Sequence, residues 1–223
     1  MIAILSAMDV EIDLLKCEMQ NPKVEEHLKN NFTKGKISGH EVVLAASSIG
    51  KVNAAITAQF VINNYKPDII LHTGIAGALA PYVEELTLCL GERITYHDFS
   101  PTIMDNFMPF QRYFYSDAKL MQIAEDYLKE NEVPYEKGLI ATGDSFVETR
   151  EQKYAIRQKM PALCVDMESA AIACAAFVNR VPILVVRTIS DLADEDSHTS
   201  YEKNEQVAAD ISANLVLEII KRM

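Results

Sequence analysis

The hydrophobic positions of this chain fall into short continuous runs that are separated by longer segments with helical spacing. Continuous apolar runs, unlike alternating ones, are typical of strands buried on both faces. They predict strands at Ile2–Leu5, Glu41–Ala46, Ile69–His72, Leu86–Ile94, Gly138–Ala141, Leu163–Val165 and Ile183–Thr188. The segments between them predict helices at Val10–Met19, Val52–Asn64, Lys119–Asn131, Arg150–Lys159, Glu168–Val178 and Glu205–Arg222. Strands that alternate with helices indicate an α/β fold with a largely parallel sheet.

One segment, Phe99–Tyr115, interrupts this alternation. Its sequence, "FSPTIMDNFMPFQRYFY", combines two prolines with six aromatic residues and has no clear periodicity. The aromatic content argues against disorder, and a long loop in a compact domain is often functional. Since the chain has no internal repeat and no Gly/Ser-rich linker, we expect residues 1–223 to form a single domain.

The amino-acid composition indicates which kind of molecule the protein binds. The formal net charge is -11, which makes nucleic acid and anionic membrane surfaces poor partners and points to a small molecule. No apolar run approaches the roughly 18 to 20 residues of a membrane span, and the first residues lack the basic region of a signal peptide. The four cysteines are scattered without a CxxC pair, so we expect free thiols and a cytoplasmic location.

Acidic residues follow most of the predicted strands. In a parallel sheet, ligands bind beyond the carboxyl ends of the strands. The acids at these ends are Glu11, Asp144, Asp166, Glu168 and Asp191. The strand at Ile69–His72 is instead followed by "TGIAGAL", whose glycines would let a ligand approach the backbone. Those glycines fit a tight strand-to-helix turn about as well.

Each acid alone also has an ordinary structural explanation. Glu11 fits a solvated helix face, Asp191 an N-cap, and Glu168 a first-turn acid that complements the helix dipole. Their joint position at strand ends favours a site for general acid–base chemistry, of which glycosidic bond cleavage is one example. The five histidines lack paired spacing, and no nucleophile elbow or Cys–His pair is present. We therefore expect no metal, no cofactor and no covalent triad.

A set of motifs in fixed order carries a family resemblance. These stretches are "AILSAMDVEIDLL", "SSIGKVNAAITAQ", "KPDIILHTGIAGAL", "GLIATGDSFV", "VDMESAAIA" and "VPILVVRTISDLAD". In these stretches the chain resembles the 5′-methylthioadenosine/S-adenosylhomocysteine nucleosidases of the nucleoside phosphorylase family, nearly end to end. The resemblance implies a three-layer αβα sandwich with a mostly parallel twisted central sheet. It also implies a homodimer that hydrolyses the N-glycosidic bond of 5′-substituted adenine nucleosides: methylthioadenosine, adenosylhomocysteine, 5′-deoxyadenosine or aminofutalosine.

The resemblance assigns roles to individual residues. Glu11 would orient or deprotonate the attacking water, and Asp191 would protonate N7 of the leaving adenine. Glu168 would bind the ribose hydroxyls, and Arg187 would help to hold the water. The remaining predicted substrate-binding residues are Met8, Ile49, Ala76, Gly77, Phe107, Phe146, Val147, Met167, Ser197 and Tyr201. Among these, Met167 would pack on the sugar, Phe146 would stack on the base, the Val147 backbone would read the base edge, and Ser197 and Tyr201 match a lid. Asp166 is interpreted as a helix-start acid or as a residue behind the site.

Two departures from the family pattern concern single motifs. Ile75 stands where the family often has a serine, so one polar contact near the water or sugar is missing. "VDMES" replaces the family's "VEMEA", which is a mild change.

The largest departure lies in Phe99–Tyr115, which in the family helps to build the pocket for the 5′ group. We predict that this segment forms an apolar wall of that pocket and contributes to a homodimer, since a solvated loop rarely carries so many large apolar groups. These groups are Ile103, Met104, Phe107, Met108 and Phe110. The alternative is that the segment folds onto its own subunit.

Two other functions are compatible with the fold. A phosphorylase would need a cationic or amide-rich cradle for phosphate, whereas the first loop offers Asp9 and Glu11. Arg93 and Arg187 are the only candidate cations for such a cradle. A non-catalytic nucleoside-binding protein is disfavoured by the presence of both Glu11 and Asp191.

Overall fold

The computed structural model describes residues 1–223, the whole chain. Its strands are β1 (Ile2–Ser6), β2 (Gln20–His27), β3 (Asn30–Ile37), β4 (His40–Ala46), β5 (Ile69–His72), β6 (Ile75–Ala78), β7 (Leu88–Tyr96), β8 (Phe114–Tyr115), β9 (Tyr135–Thr142), β10 (Cys164–Asp166) and β11 (Ile183–Asp191). Its helices are α1 (Asp13–Cys17), α2 (Lys51–Tyr65), α3 (Pro101–Asn106), α4 (Ala118–Glu130), α5 (Arg150–Lys159), α6 (Ser169–Asn179) and α7 (Ser197–Lys221).

All strands belong to one twisted sheet in the order β2-β3-β4-β1-β5-β11-β6-β10-β9-β7-β8. Its centre is parallel: β1 pairs with β4 and β5, and β11 pairs with β5 and β6. β11 also pairs antiparallel with β7, so the strands β11, β6, β10, β9 and β7 close into a ring. This closure was not expected from the sequence, because pairing between distant strands leaves no local pattern.

Helices cover both faces of the sheet. One apolar cluster joins the sheet to α2 and α6 through side chains such as Ala58, Val61 and Ile172. The other cluster joins the opposite face to α4 and α7, for example through Leu120 and Ile219. The predicted three-layer αβα sandwich with a mostly parallel central sheet is therefore confirmed.

The predicted strands and most predicted helices are present within a few residues of their expected bounds, but the helix predicted at Val10–Met19 is present only in part. A 3₁₀ turn at Asp9–Glu11 is followed only by the five-residue α1. Ile12 and Leu15 have helical spacing and are buried, yet the chain leaves the helix after one turn and enters β2. The apolar spacing was real, but it extended over too few residues to define a long helix.

Several other elements were missed. The hairpin β2–β3 escaped detection because β2 is solvent-exposed along nearly its whole length and has no apolar run. "TGIAGAL" is neither a turn nor a helix start, because Ile75–Ala78 forms β6 in the middle of the sheet. α7 begins at Ser197, eight residues before the predicted start at Glu205, and its first turns are mostly polar.

The irregular segment 99–115 contains the short helix α3 and the two-residue strand β8. Met104 and Phe114 are buried, whereas Ile103, Phe107, Met108 and Phe110 are exposed in the single chain. The segment is thus anchored to its own subunit at a few points and presents the rest of its apolar groups outward.

None of the helices combines the length and the apolar character that a membrane crossing requires. All four cysteines are free thiols: Cys89 and Cys164 are buried, Cys174 is half-buried and Cys17 is exposed.

Gly91 offers a test of the ring closure, because it lies where β7 meets both β9 and β11. A Cβ atom at this position would lie 2.8 Å from Ile140 Cδ1 and 3.2 Å from Val185 Cβ. We expect Gly91→Ala to lower the free energy of unfolding by about 1–3 kcal/mol, the usual effect of overpacking. Urea unfolding of the single variants and of Gly91→Ala/Ile140→Val measures this, because Ile140→Val removes the nearest clashing atom. Ile140→Val should then be less destabilising in the Gly91→Ala background than alone, and an equal effect in both would contradict the assignment.

Candidate active site

A cavity of about 260 Å³ lies beyond the carboxyl ends of β1, β10 and β11. Eleven of the predicted site residues line it: Met8, Glu11, Ile49, Ala76, Gly77, Phe146, Val147, Met167, Glu168, Asp191 and Tyr201. Arg187 and Ser197 are buried outside the lining, and Phe107 lies away from this cavity. The lining residues that the sequence analysis did not single out include Ser190 and His198.

Glu11 is held by the backbone of the loop that follows β1. Its Oε2 accepts hydrogen bonds from the N–H groups of Ala7 and Met8, at 2.8 and 2.9 Å. Its Oε1 accepts from the N–H of Ile75 at 2.9 Å, which joins the loop to β6. Burial raises the pKa of the carboxyl group, while Arg187 and these three N–H groups oppose the rise. Glu11 is therefore a rigid carboxylate whose basicity is increased by its surroundings.

Gly74 leaves the space into which the Glu11 and Arg187 side chains extend from either side. A Cβ atom on Gly74 would lie 2.5 Å from Glu11 Oε1 and 2.7 Å from Arg187 Nη1. Any side chain at this position would displace one of the two charged groups. Gly74, the first glycine of the "TGIAGAL" stretch, therefore makes room for protein side chains and not for a ligand.

Arg187 is almost fully buried behind the cavity and is paired on two sides. Its Nε donates to Asp166 Oδ2 at 2.9 Å, and its Nη2 donates to His72 Nε2. His72 Nδ1 in turn donates to the carbonyl of Leu5 at 2.9 Å. Burial and then the charge of Arg187 lower the pKa of His72 to about 3, so this ring is neutral.

Asp166 both starts a helix and neutralises the arginine. Its Oδ1 accepts from Thr142 Oγ1 at 2.6 Å and from the backbone N–H groups of Glu168 and Ser169, and its Oδ2 accepts from Ser169 Oγ. Burial opposes ionisation of Asp166, but Arg187 and the hydroxyl groups hold its pKa below the usual range. The interpretation of Asp166 as a helix-start acid is therefore correct, whereas the residue does not lie wholly behind the site, because it also lines the cavity.

Glu168 occupies the N-cap position of α6 and faces the cavity. Its Oε1 accepts from the N–H of Gly50 at 2.9 Å, which ties the start of α2 to the start of α6. Burial, followed by the nearby charge of Asp166, raises the pKa of Glu168 to about 7. A carboxyl group of this kind can accept hydrogen bonds from a polar ligand inside a largely dry pocket.

Asp191 lies at the end of β11 on the same cavity. Its Oδ1 accepts from the N–H of Ala193 at 2.9 Å, and its Oδ2 accepts from Ser190 Oγ at 2.8 Å. Burial raises the pKa of Asp191 in spite of these hydrogen bonds. A carboxyl group with a raised pKa retains its proton more readily and is suited to act as a general acid. Asp144, the remaining acid at a strand end, lies outside the cavity and accepts from the N–H of Lys51 at 2.8 Å.

Aromatic groups form the side of the cavity near Asp191. The rings of Phe146 and His198 lie 5.0 Å apart between centroids, and Tyr201 meets Phe146 edge-on at 6.0 Å. The hydroxyl of Tyr201 donates to Glu205 at 2.7 Å and lies 3.3 Å from Met8 Sδ. Ser197, the first residue of α7, is buried, and its Oγ accepts from the N–H of Asp194 at 2.7 Å.

His198 was missed because the histidines had been considered only as metal ligands. Its position next to Ser197, within the stretch matched to a lid, was the available signal. No group of three or more His, Cys, Asp or Glu side chains in this chain is arranged to hold a metal ion.

One side of the cavity is formed by Met8 and Ile49. These two residues also border a wider cavity of about 780 Å³, which reaches the turn between β2 and β3 and one face of α2. Ile49 is half-exposed at this junction. A ligand in the smaller cavity therefore has room to extend past these two side chains.

Known proteins are similar to this chain along its whole length. A family model described as the phosphorylase superfamily matches residues 1–221. The 5′-methylthioadenosine/S-adenosylhomocysteine nucleosidase of Bacillus subtilis (strain 168) is 34% identical over 228 residues, covering 100% of this chain and 99% of its own length.

Solved structures are similar to the same extent. The 5′-methylthioadenosine/S-adenosylhomocysteine nucleosidase of Neisseria meningitidis, in complex with methylthio-immucillin-A, has a TM-score of 0.95 at 33% identity. The match covers 100% of this chain and 99% of that one. The futalosine hydrolase of Helicobacter pylori strain 26695 has a TM-score of 0.94 at 28% identity, with coverage of 100% and 97%. The chain therefore belongs to the phosphorylase superfamily and, within it, to the 5′-methylthioadenosine/S-adenosylhomocysteine nucleosidase family.

Proposed function

We propose that this protein is an N-glycosyl hydrolase that releases adenine from 5′-substituted adenine nucleosides such as 5′-methylthioadenosine and S-adenosylhomocysteine. One observation carries this proposal: two buried carboxyl groups with raised pKa, Glu11 and Asp191, face the same small cavity. A base on one side of a glycosidic bond and an acid on the other are what hydrolysis of that bond requires. No cofactor takes part.

In the proposed mechanism, Glu11 accepts a proton from the attacking water. Asp191 donates a proton to N7 of the adenine as the C1′–N9 bond breaks, so that the base leaves neutral. Positive charge develops on the ribose at this stage, and the nearby carboxylates stabilise it electrostatically. Glu168 accepts hydrogen bonds from the ribose hydroxyl groups. Arg187 lies close to Glu11 and helps to orient the water.

The neutral parts of the substrate are accommodated by apolar and aromatic groups. Phe146 stacks on the adenine, with His198 and Tyr201 closing over it and the Val147 backbone at its edge. Met167 and the small residues Ala76 and Gly77 pack around the sugar. The start of α7, which contains Ser197 and Tyr201, acts as a lid.

Phosphorolysis is the alternative that the cavity disfavours. Four carboxyl groups line it, those of Glu11, Asp166, Glu168 and Asp191, and they repel a phosphate dianion. The one nearby guanidinium, Arg187, is already paired with Asp166. Arg93 does not line the cavity and lies over the ring of Tyr113 at 5.8 Å. Neutral water is the nucleophile that this environment accepts most readily.

The 5′ group is assigned to the end formed by Met8 and Ile49. A methylthio group would stop against these side chains, and a longer polar tail would continue into the adjoining cavity. 5′-Deoxyadenosine and aminofutalosine share the same adenine and ribose and are therefore also candidate substrates.

We further propose that the protein acts as a homodimer of single-domain subunits in the cytoplasm. The exposed apolar side chains of segment 99–115 are the basis for the dimer: Phe107 is 64%, Met108 81% and Phe110 65% exposed in the single chain. Such a cluster is more typical of an interface than of a solvated surface. Across the interface, Phe107 would reach the 5′ end of the partner's cavity.

The function is tested by measuring adenine release from methylthioadenosine in phosphate-free buffer that contains a chelator. The wild-type protein should be active under these conditions. Glu11→Gln and Asp191→Asn should each lose about 10² to 10⁴ in rate while remaining folded. Asp126→Asn on the exposed surface of α4 is the matched control and should be fully active. A strict requirement for phosphate, inactivation by the chelator, or near-native turnover in Asp191→Asn would refute the mechanism.

The raised pKa of Glu168 predicts a pH-dependent stability. The folded pKa of about 7 exceeds the reference value of 4.5, so the native state retains a proton that the unfolded state loses. The stabilisation is complete below pH 4.5 and is lost as the pH rises through about 7. Wild type should therefore lose stability relative to Glu168→Gln over this window, by about 1.4 kcal/mol per unit of pKa separation. Urea unfolding at several pH values measures this, with the exposed Glu26→Gln as control, and a pH-independent difference would contradict the assignment.

The role of segment 99–115 is tested by Phe107→Ala. We expect the wild-type protein to sediment as a dimer. The variant should lose selectivity for methylthioadenosine over nucleosides with polar 5′ groups, with a smaller effect on adenine binding. Tyr154→Ala on α5 is the matched control, because Tyr154 is 63% exposed. A monomeric wild type together with unchanged substrate preference in Phe107→Ala would remove the basis for this proposal.

A further inference from the structure

Three contacts restrict the orientation of the Arg187 guanidinium. Nε donates to Asp166 at 2.9 Å, Nη1 contacts the Val186 carbonyl at 3.3 Å, and Nη2 donates to His72 Nε2. The group is planar, so partners on two of its edges define the position of the third edge. That edge carries Nη1, which lies on the Glu11 side.

Only one form of His72 can accept a hydrogen bond from Arg187. Nδ1 is committed as a donor to the Leu5 carbonyl at 2.9 Å, which leaves the lone pair on Nε2. A protonated ring would place two cations in contact in a fully buried site. The pKa of His72, lowered to about 3 by burial and by Arg187, agrees with a neutral ring.

The orientation of the guanidinium affects Glu11, because the two groups lie near each other. Arg187 Nη1 and Glu11 Oε1 both lie within 2.7 Å of the point where a Gly74 Cβ atom would stand. A small shift of the guanidinium plane would therefore change its distance to the carboxylate. Leu5 belongs to the same strand whose following loop carries Glu11, so His72 couples the arginine to the base on two sides.

We propose that His72 is a positioning residue for hydrolysis: its neutral Nδ1–H tautomer fixes the plane of Arg187 and thereby the geometry of the water-binding pair Glu11 and Arg187. This inference rests on the proposed function. His72 does not line the cavity, so it would act through Arg187 and not on the substrate itself. Asp166 alone would hold one edge of the guanidinium, and without His72 the Nη2 donor would be buried without its acceptor.

The test compares His72→Leu, which removes the acceptor, with His72→Gln, whose carbonyl oxygen can replace it. We expect His72→Leu to lower kcat for methylthioadenosine by about 10- to 100-fold, because small misplacements of catalytic groups have effects of this size. KM should remain close to that of the wild type, since the groups that bind adenine and ribose are untouched. His72→Gln should recover most of kcat.

Thr73→Val is the matched control. Thr73 is adjacent in sequence, fully buried, and its Oγ1 has no hydrogen-bond partner, so this variant changes buried polarity without affecting Arg187. It should retain wild-type kcat. Equal kcat in wild type and His72→Leu, or equal losses in His72→Leu, His72→Gln and Thr73→Val, would overturn the inference. Inactivity of the wild type would instead refute the proposed function.

A spectroscopic measurement keeps the inference testable if His72→Leu does not fold. The ¹⁵N chemical shifts of the wild-type imidazole distinguish the two neutral tautomers and the charged ring. We expect an Nδ1–H, Nε2-lone-pair signature that persists down to the acid limit of folding. An Nε2–H tautomer or a charged ring at neutral pH would overturn the inference whatever the kinetics show.

Discussion

The buried ion pair between Asp166 and Arg187 is the interaction on which the rest of the site depends. Both side chains are almost completely inaccessible to solvent, with a Nε–Oδ2 distance of 2.9 Å. Removing two charges from water is unfavourable by several kcal/mol per ion unless other groups satisfy them. Here Thr142, Ser169 and His72 do so. Since these groups come from different strand ends and from the start of α6, the ion pair holds those elements in a single arrangement.

The same pair sets the electrostatics of the cavity. Four carboxyl groups beside one another would repel strongly, and all of them would resist ionisation. Arg187 keeps Asp166 ionised and partly offsets the effect of burial on Glu11 and Glu168. The pKa values of Glu11, Glu168 and Asp191 remain raised, which is the condition that acid–base chemistry near neutral pH requires. One buried cation thus divides the acids into one structural carboxylate and three that are available to a ligand.

The sequence was most informative about features that depend on residues close together in the chain. Continuous apolar runs located the buried strands, and acids at strand ends located the cavity before any contact was known. Family motifs identified eleven of its lining residues. Local patterns failed for β2, which is exposed and polar, and for β6, whose glycines resembled a turn. In both cases a strand forms because neighbouring strands pair with it, and that pairing depends on residues distant in sequence.

By itself, therefore, the sequence determined the αβα class and the acids at the strand ends, and its motifs determined the family. These follow from hydrophobic periodicity and from the chemistry of individual side chains. Only the tertiary structure decided how the acids differ from one another. Arg187 and His72 are 115 residues apart, and Gly50 and Glu168 are 118 apart. A pKa depends on burial and on charges in space, and neither is defined until the sheet closes and brings such pairs together.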